Sequence, residues 1–292
     1  MRNKARKIRA AFDANTLKAI CAEDNFDAYG QRYICEGKDR YFHYADNGSD
    51  ILAVAHLDSV ADNIPAQVID TAAGPIVLSP ALDDRLGAYV ILDLLPKLGV
   101  NCDVLLTTGE ESCNSTARDF ATAELTDKQY NWTFSFDRTG TDVVMYDYGT
   151  QHLKQLLREV GADVGIGSYS DIADLDTLGC AGFNWGVGYR DYHGPRAHAW
   201  LNDTFMMVSQ FLEFHQHHSA ELFEYEHIIP TRGYWRKWSQ DMDDAWDNSS
   251  DTPSTLILPE DCPNCRSELT YGYCEDCGSD WWNDRHLQAW NK

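Results

Sequence analysis

Five apolar, strand-length runs in this chain each end in acids or histidine. LAVAHLD stops at His56 and Asp58, PIVLSPALDD at Asp83 and Asp84, LLTTGEE at Glu110 and Glu111, FSFD at Asp137, and WGVGYRDYH at His193. Charged groups are costly to bury unless paired, so they mark where each run leaves a core. The runs alternate with helical stretches, the pattern of a largely parallel sheet with helices on both faces. Strands are predicted at 41–45, 51–56, 75–78, 102–107, 131–137 and 181–187. Helices are predicted at 84–97, 150–160 and 202–225, after an amphipathic first helix on which Ala5, Ile8 and Phe12 share a face. The expected class is α/β, a mostly parallel sheet sandwiched by helices.

The 292 residues, 43% of them apolar, suffice for one α/β domain and a small appendage. The longest apolar runs fall far short of the roughly 20 residues that span a bilayer. The five basic residues among the first ten are followed by acids and by no apolar signal region, so they read as the solvated face of the first helix. A net charge of −22 argues against nucleic acid as the main partner, because Lys and Arg supply that affinity. Nine cysteines without a secretory signal point to a reducing, cytoplasmic setting in which clustered thiols hold metal.

Each acidic or histidine motif alone has an ordinary structural reading. His-x-Asp after a β-run places two side chains on one face, where the acid can orient a ligating imidazole or serve a turn. Asp83 and Asp84 at a strand-to-helix junction suit a helix start as well as a metal bridge. Glu110 beside Glu111 at the mouth of a buried strand is unfavourable without a compensating cation, unless the pair lies on a solvated loop. Together they change meaning. Loops beyond the carboxyl ends of parallel strands converge on one crevice, and imidazole with carboxylate suits zinc with positions left open for water and substrate.

These motifs, AHLDSV, ALDDRLG, TTGEES, SFDRTGTD and GVGYRDYHGP, resemble in order those of the co-catalytic di-zinc exopeptidase superfamily, which includes aminopeptidases, carboxypeptidases and aminoacylases. The stretch GSYSDI at 167–172 is similar to the aminopeptidase-type members. The resemblance implies that Asp83 bridges two zinc ions, that His56 and Asp137 complete one site, and that Glu111 and His193 complete the other. It implies Glu110 as general base, Asp58 as the acid orienting His56, and a cis peptide between Asp83 and Asp84. Only 26 residues separate His56 from Asp83 and 55 separate Asp137 from His193, which leaves no room for inserted shell-building or lid domains. Gly194-Pro195-Arg196 departs from the family, where a hydroxyl residue usually follows the last histidine.

Past about residue 230 the resemblance ends. The domain 1–238 is followed by an acidic linker at 239–260, a ribbon at 261–280 and a tail at 281–292. Cys262, Cys265, Cys274 and Cys277 stand in C-x2-C-x8-C-x2-C order, and two such chelating turns are expected to close a tetrahedral structural zinc, with a rubredoxin-type iron site as the main rival. Trp281, Trp282 and Trp290 around an acidic ribbon favour docking to a protein surface or to the chain's own catalytic domain. Cys21, Cys35, Cys102, Cys113 and Cys180 lack partners at ligand spacing, and His215, His217 and His218 read as surface residues of the last helix.

The expected activity is therefore hydrolysis of an amide or peptide bond, as an aminopeptidase. A deacylase of N-acyl amino acids uses the same metals, and a non-catalytic binding protein on a hydrolase fold would have no need of Glu110. Arg138 and Arg190 either contact a substrate carboxylate or pair with local acids such as Asp84 and Asp171. No other substrate-binding residue is legible.

Overall fold

The computed structural model describes residues 2–61, 65–123, 125 and 128–225. All lie in the first of two compact units, Met1–His227. The predicted linker at 239–260, the ribbon with Cys262, Cys265, Cys274 and Cys277, and the tail at 281–292 lie outside the described residues.

Among the described residues eleven strands form one sheet: β1 (Gln31–Ile34), β2 (Tyr41–Ala45), β3 (Ile51–His56), β4 (Gln67–Thr71), β5 (Gly74–Leu78), β6 (Asp103–Thr107), β7 (Trp132–Thr139), β8 (Asp142–Val144), β9 (Asp163–Val164), β10 (Gly182–Arg190) and β11 (His198–Trp200). The order is β1-β2-β6-β3-β7-β10-β11-β5-β4, with β8 pairing β10 and β9. Strands β6, β3, β7 and β10 run parallel at the centre, and antiparallel strands flank them on both sides. β3 is ILAVAH, buried at every position, as a parallel strand covered on both faces must be. The parallel centre expected from the sequence is present.

The helices are α1 (Arg2–Ala11), α2 (Ala14–Ala22), α3 (Leu82–Tyr89) running on through Val90–Leu94 into α4 (Leu95–Lys97), α5 (Ala117–Thr122), α6 (Gln151–Glu159) and α7 (Leu201–His218). On α7, Leu201, Thr204, Phe205, Val208, Phe211 and Phe214 recur at three- and four-residue spacing and bury one stripe. Phe211 packs against Trp132, Phe134 and Phe136 of β7. Thr133, pointing the other way by the strand's alternation, lies beside Ile172 of the 3-10 helix Asp171–Leu178. The sheet is thus covered on both sides. Burying a phenylalanine of this kind contributes roughly 1.5–3 kcal/mol.

Sequence and structure differ where pairing, and not apolar content, makes the element. β1 and β4 are mostly exposed edge strands, and β8, β9 and β11 are two or three residues long. β1 and β4 are each held by the next strand in a hairpin, and β8 and β11 pair with strands distant in sequence, so the partner and no local periodicity announces them. The last helix, predicted to reach 225, stops at His218. Its terminal carbonyls accept from side chains of the sheet, Trp132 Nε1 to His218 O at 3.0 Å and Asn131 Nδ2 to Ser219 O at 2.9 Å. The chain then turns back, and Glu224 bridges to Cys180.

Candidate metal centre

The five motifs meet at one end of the central strands. His56 is the last residue of β3, Glu110 and Glu111 follow β6 on a single 3-10 turn, Asp137 lies in β7 two residues before its end, and His193 follows β10. Asp83 arrives differently from the sequence expectation. It comes from the start of α3 after β5, an antiparallel strand of the flank, and not from the tip of a parallel one. The Asp83–Asp84 peptide is cis. Asp84 points away from the cluster, its Oδ1 accepting from Tyr189 Oη at 3.0 Å and from Gly87 N at 3.2 Å. Residue 87 has to be glycine, because a Cβ there would collide with Asp84 Oδ1 and Phe136 O.

Asp83 divides its two oxygens. Oδ1 is 3.1 Å from His56 Nε2, while Oδ2 is 3.0 Å from His193 Nε2. His56 Nε2 also lies 3.6 Å from Asp137 Oδ1, and His193 Nε2 lies 3.0 Å from Glu111 Oε2. The geometry thus groups Asp83 with His56 and Asp137 on one side and with His193 and Glu111 on the other. One ligand atom each from His56, Asp83 and Glu111 falls within 4.8 Å of the others.

The donor set fits divalent cations. His56 Nδ1 sits 2.9 Å from the carbonyl oxygen of Asp58, a pure acceptor, so Nδ1 carries the proton and the Nε2 lone pair faces the carboxylates. Glu111 Oε1 is buried with no hydrogen-bond partner. Lone pairs converging on lone pairs call for positive charge between them. Hydrogen bonds that the imidazole can donate to Asp83 and Glu111 push His193 up to about 10, the response of an imidazole beside uncompensated anions. Burial pushes Asp137 well above the usual carboxylate range, and the charges of Asp84 and Asp83 add to it.

Glu110 lies beside the cluster, with Oε2 3.8 Å from His56 Nε2. Burial pushes its carboxyl up to about 7, opposed by His56 and reinforced by the charges of Asp171, Asp83 and Glu111. The turn that carries it is held from three directions. Asp58 Oδ1 and Oδ2 accept from the backbone N–H groups of Glu110 and Glu111 at 3.3 and 3.1 Å. Asp171, buried and read in the sequence only as a candidate arginine partner, accepts from the hydroxyls of Thr107 before the turn and Ser115 after it. Thr108 and Thr116 both donate their hydroxyls to Tyr41 O.

Asp58 does not do what the motif suggested. Its carboxylate is 3.7 Å from His56 Nδ1, too long for a hydrogen bond, and its own carbonyl takes that proton instead. The arginines do pair with local acids, Arg138 with Asp142 and Arg190 with Asp203, though neither with Asp84 or Asp171. The histidines of α7 stay apart from the cluster, His217 against Glu213 and His218 against Glu221.

A cavity of about 240 Å³ opens over the cluster, lined by Asp83, Glu110, Glu111, Asp137 and His193 and walled by residues with no role assigned from the sequence, among them Tyr146, Tyr169 and Tyr192. Tyr169 belongs to GSYSDI and Tyr192 to GVGYRDYHGP, the local signals that could have found this wall.

No family model matches the sequence, and no curated protein does. Solved structures do match in shape. A tripeptidase from Staphylococcus aureus is 12% identical with a TM-score of 0.50, over 74% of this chain and 99% of its own. A TET aminopeptidase from a marine-sediment archaeon of the Thaumarchaeota is 12% identical with a TM-score of 0.48, over 70% and 98%. An aminopeptidase from the archaeon Desulfurococcus kamchatkensis is 14% identical with a TM-score of 0.44, over 75% and 95%. The chain shares with the staphylococcal tripeptidase the fold, a mixed α/β sheet with parallel strands at its centre and helices on both faces.

Proposed function

We propose that this chain is a two-zinc hydrolase of amide or peptide bonds, acting as an aminopeptidase. The observation that carries the reading is the division of Asp83 between His56 and His193, which is the arrangement a carboxylate bridging two ions requires. His56 and Asp137 would hold one zinc, Glu111 and His193 the other, with Asp83 shared. Bound there, the pair would supply acidification of water and polarisation of the scissile carbonyl.

The remaining work falls to the chain itself. Glu110, raised to about 7, is poised to take a proton from the attacking water and pass it to the leaving amine. Asp58 fixes the Glu110-Glu111 turn, and its carbonyl fixes the His56 tautomer. The four-cysteine ribbon would hold a third, structural zinc and offer a surface for a protein partner. No described helix is long and apolar enough to cross a membrane.

The test is metal content together with turnover on free and N-acetylated aminoacyl substrates. Zinc-loaded protein that hydrolyses neither would sink the proposal, and activity confined to the acetylated set would move it to a deacylase.

A further inference from the structure

Next to Asp137, β7 carries an arginine, Arg138, whose role the metal centre does not explain. Ser135 pairs with Asn184 and Arg138 with Gly186, so β7 spends three residues where β10 spends two. Such a bulge breaks the alternation of faces and re-aims a side chain. Asp137 and Arg138, neighbours that a regular strand would point in opposite directions, therefore line the same cavity.

Asp142 holds the guanidinium from one edge, Oδ1 accepting from Nε at 3.0 Å and Oδ2 from Nη2 at 3.1 Å. Gly165 makes room for this pair, since a Cβ there would run into Asp142 and Arg138. Nη1 has no partner among the described residues, so its fork of donors is oriented and unspent. Neighbouring polar groups are already engaged. Tyr146 Oη donates to Tyr169 O, Tyr169 Oη to Asp174, and Asn184 Nδ2 to Asp137 O. Among the described residues lining the cavity, Arg138 is the only permanent cation.

We propose that Arg138 binds a carboxylate that the substrate carries on the carbon attached to the scissile nitrogen; this rests on the amide-hydrolase reading above. In the zinc-loaded site the ions would take the scissile carbonyl, and Arg138 is the other permanent cation on the described wall, so it fixes which end of the substrate points where. At about 240 Å³ the cavity lies below the roughly 300–1,000 Å³ of ordinary ligand pockets and suits a molecule the size of a dipeptide. Two substrate types present this carboxylate in the same place, a free dipeptide and an N-acyl amino acid.

The zinc-loaded full chain decides the matter with four substrates: alanylalanine, its C-terminal amide, N-acetylalanine and N-acetylalaninamide. A charge-assisted bond to Arg138 should make kcat/KM about tenfold to a hundredfold higher for the acid than for the amide in at least one pair. The pair that shows it names the source of the carboxylate. In Arg138→Gln the acid-to-amide ratio should fall to about one. Equal rates on acid and amide in the wild type, or a preference that survives Arg138→Gln, would overturn the assignment. Hydrolysis of none of the four would instead refute the amide-hydrolase reading. Calorimetric titration of the wild type with alanylalanine and its amide still reads the arginine in that case: tenfold discrimination supports it, and equal affinity overturns it.

Discussion

Asn184 clasps the backbone of Asp137 from both sides, Oδ1 accepting its N–H and Nδ2 donating to its C=O, each at 3.0 Å. The side chain thereby replaces the ladder bonds that the β7 bulge gives up, at the residue whose carboxylate faces His56. Asn184→Ala leaves two backbone groups of that bulge without these partners, a loss of about 1–3 kcal/mol for each group left buried and unsatisfied. The expected outcome is a lower thermal midpoint together with weaker zinc retention at the His56 side, measured by dialysis against a chelator. Unchanged retention would mean that the clasp does not position Asp137.

Glu110→Gln should keep both catalytic zinc ions and lower kcat by about a thousandfold, the scale of a lost general base. Metal analysis of the purified variant beside its turnover number checks this. Full activity would place the base elsewhere.

Asp83→Ala should weaken both zinc sites, whereas His56→Ala and His193→Ala should each empty one, because Asp83 turns one oxygen to each histidine at 3.1 and 3.0 Å. Zinc per chain by mass spectrometry is the readout. Equal losses from all three variants would contradict the division of Asp83.

Asp58→Ala removes the acceptor of the Glu110 and Glu111 N–H groups but leaves the Asp58 carbonyl that holds His56. Turnover should drop about tenfold to a hundredfold, the range for residues that orient a metal site's groups, with zinc retained on the His56 side. Loss of that zinc first would restore the carboxylate to the imidazole-orienting role its motif suggested.

The full chain should carry three zinc ions, two in the catalytic cluster and one in the ribbon, because thiolate and carboxylate-imidazole sites are independent chemistries. Cys262→Ser should lose one zinc with little change in hydrolysis of a small substrate. A folded variant that loses activity would tie the ribbon to the catalytic machinery.

Much of this arrangement was legible because the residues concerned combine two signals, an apolar run and a charged end. His56, Glu110, Glu111, Asp137 and His193 are of that kind, and the structure brings them and Asp83 to one place. What stayed hidden depends on register and partner. Nothing in the order Asp137-Arg138 states that β7 bulges there; only the pairing with β10 does. Asp171 stands in the sequence only as a candidate partner for an arginine, and its meaning comes from Thr107 and Ser115, both more than fifty residues away. The split duties of Asp58 likewise follow from a loop path that no local pattern encodes.

The parallel centre of the sheet also bears on how the chain reaches this state. β3 pairs Leu52 with Asp103 and Ile51 with Trp132, contacts that close long stretches of chain before they reward it. The cluster exists only once those strands are aligned, so on the two-zinc reading its ions would bind after the strands have paired. Zinc should then act as a lock and not as a seed: it should slow unfolding in proportion to its binding and leave the refolding rate where it was.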